Sequence, residues 1–160
     1  MMNSSEENLV VEVRFEIEKD AEGYPKSRDY EALLCKPLNS DCSVCVVANV
    51  PFYLRDVAYG DTIRTKDDSS GSLRFGLIIR RSGYSVYRIF LHDATKKENL
   101  INQLLDFGAL VEQDGDLIAF ALPPDANADA VVDRVLEGKH EGWWGAQDGY
   151  IHEPPNAGST

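Results

Sequence analysis

The sequence predicts an α+β protein with an N-terminal small bent β-sheet or barrel, followed by a ferredoxin-like β-α-β-β-α-β unit. Two observations predict this order. The first half contains short apolar strands at regular spacing, separated by turn residues, as in small barrels. The second half alternates between strand and helix periodicity. We therefore expect a β-rich subdomain at 9–82 and an α+β subdomain at 83–152, with a disordered N-terminus at 1–8 and a flexible tail at 153–160.

Five or six short strands are predicted in the first half. The first alternates apolar residues such as Val11 and Val13 with charged ones, so one face is apolar and the other charged. The third is nearly continuous in apolar residues, which predicts burial on both faces. Turn segments rich in Gly, Pro, Asp and Ser separate the strands. The strands are expected at 9–18, 30–36, 42–48, 62–65 and 73–79.

The first predicted helix follows a strand at 84–91. Thr95 and Glu98 have the spacing of a capping box, which predicts that the helix begins at Thr95. Apolar residues continue at helical spacing, and Gly108 suits the left-handed position that ends a helix.

The second predicted helix follows a hairpin that turns at Asp114-Gly115, a dipeptide typical of tight turns. We expect Gly138 to end this helix and residues 150–152 to form a last short strand. The apolar face of the helix is formed by Val131, Val132, Val135 and Leu136.

Charge is distributed unevenly along the chain. The formal net charge is −11, and residues 92–160 carry 13 acidic against 4 basic residues, whereas residues 1–91 carry 14 against 12. A chain this acidic repels phosphates, which argues against nucleic acid or an anionic membrane as partner. It suits a basic protein partner, although solubility alone would also account for the charge.

Features of the whole chain indicate a cytoplasmic protein. No apolar run approaches the roughly 20 residues that span a bilayer. The polar start, with Glu6 and Glu7, lacks the basic and apolar regions of a signal peptide. Three cysteines, an odd number, make a disulfide framework improbable and fit a reducing compartment.

No residue pattern predicts catalysis, a metal or a cofactor. Cys42 and Cys45 have C-x-x-C spacing but fall within a predicted strand, so we interpret them as buried apolar residues. His92-Asp93 has the pattern of a base with an orienting carboxylate, but the favoured interpretation is that Asp93 helps Thr95 to start the following helix. Phosphate-binding glycine loops are absent from the sequence.

Two segments are candidate binding sites. Arg80, Arg81, Ser82 and Gly83 could hold an anionic small molecule, or the arginines could simply balance nearby acids. Trp143-Trp144 could close a small core or form an acidic, aromatic contact surface for a protein partner. The residues predicted for that surface are Trp143, Trp144, Glu141, Asp148, Asp129 and Asp133.

Five motifs occur in order along the chain: FEIEKDAEGYP at 15–25, NVPF at 49–52, VAYGD at 57–61, RSGYSVYR at 81–88 and LPPD at 122–125. With these motifs the chain resembles a bacterial family known as domain of unknown function 4265. The resemblance spans roughly residues 10–152 and implies a compact bacterial cytoplasmic protein. It brings no catalytic residues, and Cys42 and Cys45 do not belong to its pattern.

Size, acidity and the lack of catalytic motifs together favour a binding protein over an enzyme. Our leading hypothesis is an immunity protein that neutralises a bacterial toxin, since an acidic inhibitor can steer to a basic toxin domain. A regulatory module that binds a small anion at Arg80 and Arg81 is the second hypothesis. An enzyme using His92 with Asp93, or His140 with Glu141, is the third.

Overall fold

The first five strands close into a barrel in the computed structural model, which describes residues 9–23 and 28–153. Neighbours in sequence pair antiparallel, and β5 closes the barrel on β1 through a short parallel contact at Val13–Leu73 and Arg14–Arg74. The predicted barrel is therefore confirmed, whereas the predictions for 1–8 and for 154–160 lie outside the described residues. The strands are β1 Val11–Glu16, β2 Tyr30–Pro37, β3 Val44–Val47, β4 Thr62–Asp67 and β5 Leu73–Arg80.

Side chains at every second position of the strands fill the barrel interior. Val13 and Phe15 of β1 are buried, and the Phe15 ring stacks on Phe75 of β5 with the ring centroids 4.9 Å apart. Each such buried side chain contributes about 1.5–3 kcal/mol relative to exposure. The predicted third strand is shorter than expected, since Cys42 adopts a left-handed φ of 60° in the preceding turn. Burial alternates along β3, so the expected burial of both of its faces is wrong.

The second half forms a separate four-stranded sheet. Its order is β7-β8-β6-β9, and every neighbouring pair is antiparallel. Two helices pack on the sheet, so the whole chain is a mixed α+β protein, and neither helix of the described residues is long and apolar enough to cross a membrane. The elements are β6 Ser85–Leu91, α1 Lys97–Asp106, β7 Leu110–Asp114, β8 Leu117–Leu122, α2 Ala128–Glu141 and β9 Trp144–Asp148.

The end of α2 differs from the sequence prediction. Gly138 does not end the helix; it is buried inside it and faces the Trp144 ring. The helix instead ends at Glu141 and is capped by Gly142, whose φ of 80° is the left-handed conformation that glycine tolerates. The predicted strand at 150–152 is also wrong, because the last strand within the described residues is β9, which lies earlier and pairs with β6.

The start of α1 differs as well. Thr95 is not the capping residue, because the Asp93 carboxylate accepts hydrogen bonds from the Thr95 amide (3.0 Å) and hydroxyl (2.6 Å). These bonds lower the pKa of Asp93 and start a 3₁₀ turn, Ala94–Lys96, that leads into α1. The predicted capping box with Glu98 is therefore wrong, and Asp93 takes the structural role that its favoured interpretation gave it.

A loop between β3 and β4 joins the barrel to the sheet. Val50 and Ala58 of this loop pack against Val86, Ala119 and Ala121 of the sheet, where alanines allow close approach. The predicted boundary near Ser82 and Gly83 thus lies where the chain passes from the barrel to the four-stranded sheet, and the two pack against each other.

Three charged side chains, here called the charged clamp, hold the backbone of that loop. Glu31 of β2 accepts hydrogen bonds from the Phe52 and Tyr53 amides (2.7 and 3.0 Å). Buried Arg88 of β6 donates to the carbonyls of Leu54 and of Pro51, and Glu112 of β7 accepts from the Val50 amide. Glu31 comes from the barrel and the other two from the sheet, so the clamp fixes the two halves around one loop.

Replacing Glu112 by glutamine should change the pH dependence of stability. Burial raises the pKa of Glu112, and the nearby Glu31 adds to the effect. A raised folded-state pKa contributes stability at low pH that is lost as pH rises through that pKa. Because glutamine keeps an acceptor for the Val50 amide without titrating, E112Q should gain stability relative to wild type between pH 4 and pH 7. Urea unfolding across this pH range measures the free energies of unfolding of E112Q and wild type. A difference between them that does not change with pH would contradict the raised pKa of Glu112.

Candidate interaction surface

Four carboxylates form a row along the solvent side of α2. Asp129, Asp133, Glu137 and Glu141, here called the acidic row, are spaced by four residues and are all exposed. Residues four apart are neighbours on a helix surface, so the row is a continuous inclined ridge of negative charge. Three of the four were predicted as contact residues; Glu137 was not, although its spacing in the sequence could have revealed it.

The acidic row opposes helix stability. Like charges four residues apart destabilise a helix by a few tenths of a kcal/mol per pair, and Glu141 lies at the C-terminal end, where the helix dipole disfavours an anion. Arg134 offsets part of this cost through an ion pair with Glu137 at 3.2 Å. Asp129 lies in the first turn, where the helix dipole favours an anion, so the unfavourable contribution comes from the like-charge pairs and from Glu141.

The underside of α2 fixes the row in place. The Asn127 side chain caps the helix by accepting from the Ala130 amide at 3.1 Å. Val131 and Val135 are buried against the sheet, and the Trp144 Nε1–H donates to the Val135 carbonyl at 2.9 Å. The acidic row therefore sits on a firmly packed helix.

The two tryptophans have different roles. Trp144 is 1% exposed and closes the core beneath α2, so it supports the surface from inside. Trp143 is half-buried at the surface, where the Lys96 ammonium lies 4.2 Å and the Arg134 guanidinium carbon 5.4 Å from its ring centroid. Trp144 thus has the core role of the first interpretation, whereas Trp143 stays a candidate contact residue.

Asp148 lies apart from the acidic row, at the end of β9. It is exposed and pairs in register with Tyr87 of β6.

Residues of the predicted anion site are largely occupied by internal contacts. Asp61, fully buried, accepts hydrogen bonds from Arg81 (3.0 Å) and from the Ser82 amide (2.9 Å), while the Ser82 hydroxyl donates to the Tyr59 carbonyl. The Arg81 guanidinium also lies 4.0 Å from the Tyr150 ring centroid. Gly83 has a φ of 92° and packs closely against Pro124, since a β-carbon there would lie 3.2 Å from the proline Cγ. Arg80 alone of the four is exposed, at the end of β5.

Histidine and cysteine residues are dispersed or buried. His140 and Glu141 are adjacent exposed residues at the end of α2, and the Asp93 carboxylate is occupied by Thr95. Burial raises the pKa of Cys35 to about 12 and that of Cys45 to about 11, which keeps both thiols protonated at neutral pH. Within residues 9–23 and 28–153, no three His, Cys, Asp or Glu side chains cluster as metal ligands.

Comparison with known proteins gives a family and a fold. The model of a family described as a domain of unknown function (DUF4265) matches residues 32–146, from β2 to β9. A solved structure described as a hypothetical protein from Neisseria gonorrhoeae is similar with a TM-score of 0.74, covering 92% of this chain and 99% of that chain at 11% identity. At that identity the similarity concerns the fold alone. No curated protein matches the chain.

Proposed function

This chain belongs to the family described as a domain of unknown function (DUF4265), and we propose that it is a cytoplasmic, non-enzymatic binding protein. Its partner is a basic protein, which contacts the acidic row of α2. The observation that carries the proposal is the row itself, because four exposed carboxylates at a spacing of four form one continuous negative surface on α2.

Charge complementarity supports this kind of partner. The half of the chain that contains α2 carries most of the net charge of −11, so its field would attract a basic surface and speed encounter. Trp143, half-exposed beside the end of the row, adds an aromatic contact of the type common at the centres of interfaces.

The specific form of the proposal is an immunity protein that neutralises a basic toxin domain. An inhibitor of a basic enzyme needs a rigid acidic surface of fixed shape, because flexible side chains would lose entropy on binding. The packed underside of α2 and the cap at Asn127 supply that rigidity.

We also propose that residues 83–152 form a ferredoxin-like unit. The strand order β7-β8-β6-β9, with all neighbours antiparallel and a helix after β6 and after β8, supports it. This architecture places α2 on one face of the sheet, and the acidic row lies on the side of the helix that is exposed among the described residues.

A charge-neutralised row variant tests the proposed function. It carries Asp129→Asn, Asp133→Asn, Glu137→Gln and Glu141→Gln, and its matched control carries glutamine at four exposed first-half positions, Glu12, Glu16, Glu18 and Glu22. Both variants change the net charge equally. We expect the wild type and the control to capture the same basic protein from native cells, and the row variant to capture at least tenfold less.

Protection of growth is the second readout. Co-expression with the captured protein should restore growth for the wild type and the control but not for the row variant. Equal capture by all three proteins, or a captured protein without a basic surface, would contradict the proposal. The row variant should remain folded, because removing like charges four residues apart relieves repulsion in α2.

A further inference from the structure

We propose that the basic partner supplies an extended segment that adds a strand to the outer edge of β9, in the groove beside α2. This inference rests on the proposed function and adds the mode of recognition, which is β-strand addition. Three independent features of the α2–β9 region carry it: an unpaired strand edge, an apolar groove and a negatively charged rim.

The strand edge is the first feature. Among the described residues, β9 pairs with β6 only. The His92 amide donates to the Trp143 carbonyl and the Gly149 amide to the Val86 carbonyl, which fixes the antiparallel alternation. It follows that the amides and carbonyls of Trp144, Ala146 and Asp148 point away from β6.

Edge strands usually carry features that prevent further pairing. Lysine, proline and bulges are the common ones. The β9 sequence, WGAQD, contains no lysine or proline, and its register with β6 runs without a bulge. Its outer backbone is thus able to accept another strand.

The apolar groove is the second feature. A cavity of about 250 Å³ lies between α2 and β9, and Leu136 on its wall is 54% exposed despite being apolar. A strand added to β9 would place alternate side chains on the helix-bearing face, against this groove. Residues lining it include Tyr87, Val132, Leu136, Lys139, Ala146 and Asp148.

The negative charge at the rim of the groove is the third feature, and it determines which kind of segment binds there. Asp129 lies three residues before Val132, and Asp133 three before Leu136, so both carboxylates neighbour the groove on the helix surface. Asp148 adds a third acid at the strand end, against the single cation Lys139 among the described lining residues. An extended segment with apolar residues toward α2 and Lys or Arg at the rim fits this pattern. A second copy of the chain does not, since two molecules of charge −11 would bring their acids together.

Selection from a display library of random ten-residue peptides tests the inference on the full chain. We expect the selected peptides to alternate apolar with basic residues. Synthetic copies should slow hydrogen exchange at the outward amides of Ala146 and Asp148. Peptides without basic residues, or unchanged exchange at both amides, would overturn the inference.

Two variants separate strand addition from simple charge attraction. Ala146→Pro removes an outward donor without removing a bond to β6, and Leu136→Asp places a charge in the groove. Each should weaken binding of a selected peptide at least tenfold, whereas Leu105→Asp, at an equally exposed leucine of α1 (52%), should leave it within twofold. If the Ala146→Pro variant is unfolded, binding by the Leu136→Asp variant alone decides the test. Undiminished binding of the peptide by both variants would overturn the inference. So would a wild-type protein that forms a dimer which Ala146→Pro abolishes.

Capture of the natural partner distinguishes the two proposals. Loss of capture by the row variant together with full capture by Ala146→Pro and Leu136→Asp would leave the proposed function standing and reject strand addition. Full capture by the row variant, Ala146→Pro and Leu136→Asp would reject both.

Discussion

Replacing Gly138 by alanine should destabilise the protein by about 3 kcal/mol, the upper range for overpacking a core. In an ordinary helix interior the same change stabilises by about 1 kcal/mol. A β-carbon at residue 138 would lie 1.9 Å from Cζ2 and 2.0 Å from Cε2 of Trp144. The ring cannot move freely, because it is buried and its Nε1–H is bonded to the Val135 carbonyl. Either α2 or the ring must therefore shift.

Urea unfolding of G138A measures this effect, and a second substitution identifies its cause. In a Trp144→Leu background the obstructing ring is absent, so G138A should cost nothing or stabilise slightly. Gly142→Ala is the matched glycine control. A β-carbon at residue 142 would meet open space, but φ there is 80°, so Gly142→Ala should cost about 1 kcal/mol through backbone strain alone. A G138A protein as stable as wild type would show that Trp144 does not pack against α2 as described.

Replacing Arg88 by methionine should cost about 1–3 kcal/mol, the range for leaving a buried hydrogen-bond partner unsatisfied. Methionine retains the unbranched apolar length but leaves the Pro51 and Leu54 carbonyls without this donor. It also leaves Glu31 without its nearby cation. Burial lowers the pKa of Arg88 to about 10, so the guanidinium remains charged at neutral pH and its loss removes a full charge.

Arg55→Met is the control for this change. Arg55 is exposed, and its positive charge lowers the pKa of Arg88, so R55M should alter stability by less than about 0.5 kcal/mol. Chemical denaturation of both variants and wild type gives the comparison. If R88M and R55M behaved alike, the charged clamp would not join the barrel to the sheet.

Local patterns predicted most elements of the fold. Alternation of apolar and charged residues located β1, and the Asp114-Gly115 dipeptide located the hairpin between β7 and β8. These signals are local, because side-chain periodicity and turn conformation depend on near neighbours.

The errors arose where distant residues decide the structure. β9 depends on pairing with β6, more than 50 residues earlier, and its small and polar residues give no alternating pattern. Gly138 suggested a helix end, whereas the fold needs a small residue there to accommodate Trp144. Both cases are tertiary requirements that override local preference.

The candidate surface was predictable in part. The four-residue spacing of the acidic row is visible in the sequence, whereas burial of Trp144 and exposure of Trp143 follow only from pairing with β6. The Arg80–Arg81 turn shows the opposite limitation. Its basic residues suggested a ligand, yet Asp61, 20 residues earlier, binds Arg81 within the fold.

The association rate of the captured partner at increasing ionic strength tests the central claim most directly. Electrostatic steering by the acidic row predicts that the rate constants of the wild type and the first-half control fall at least tenfold between low salt and 0.5 M salt, because salt screens the attraction. The row variant should associate slowly at low salt and show little further dependence. Association rates that are equal for the three proteins and independent of salt would contradict a role for α2 in attracting a basic partner.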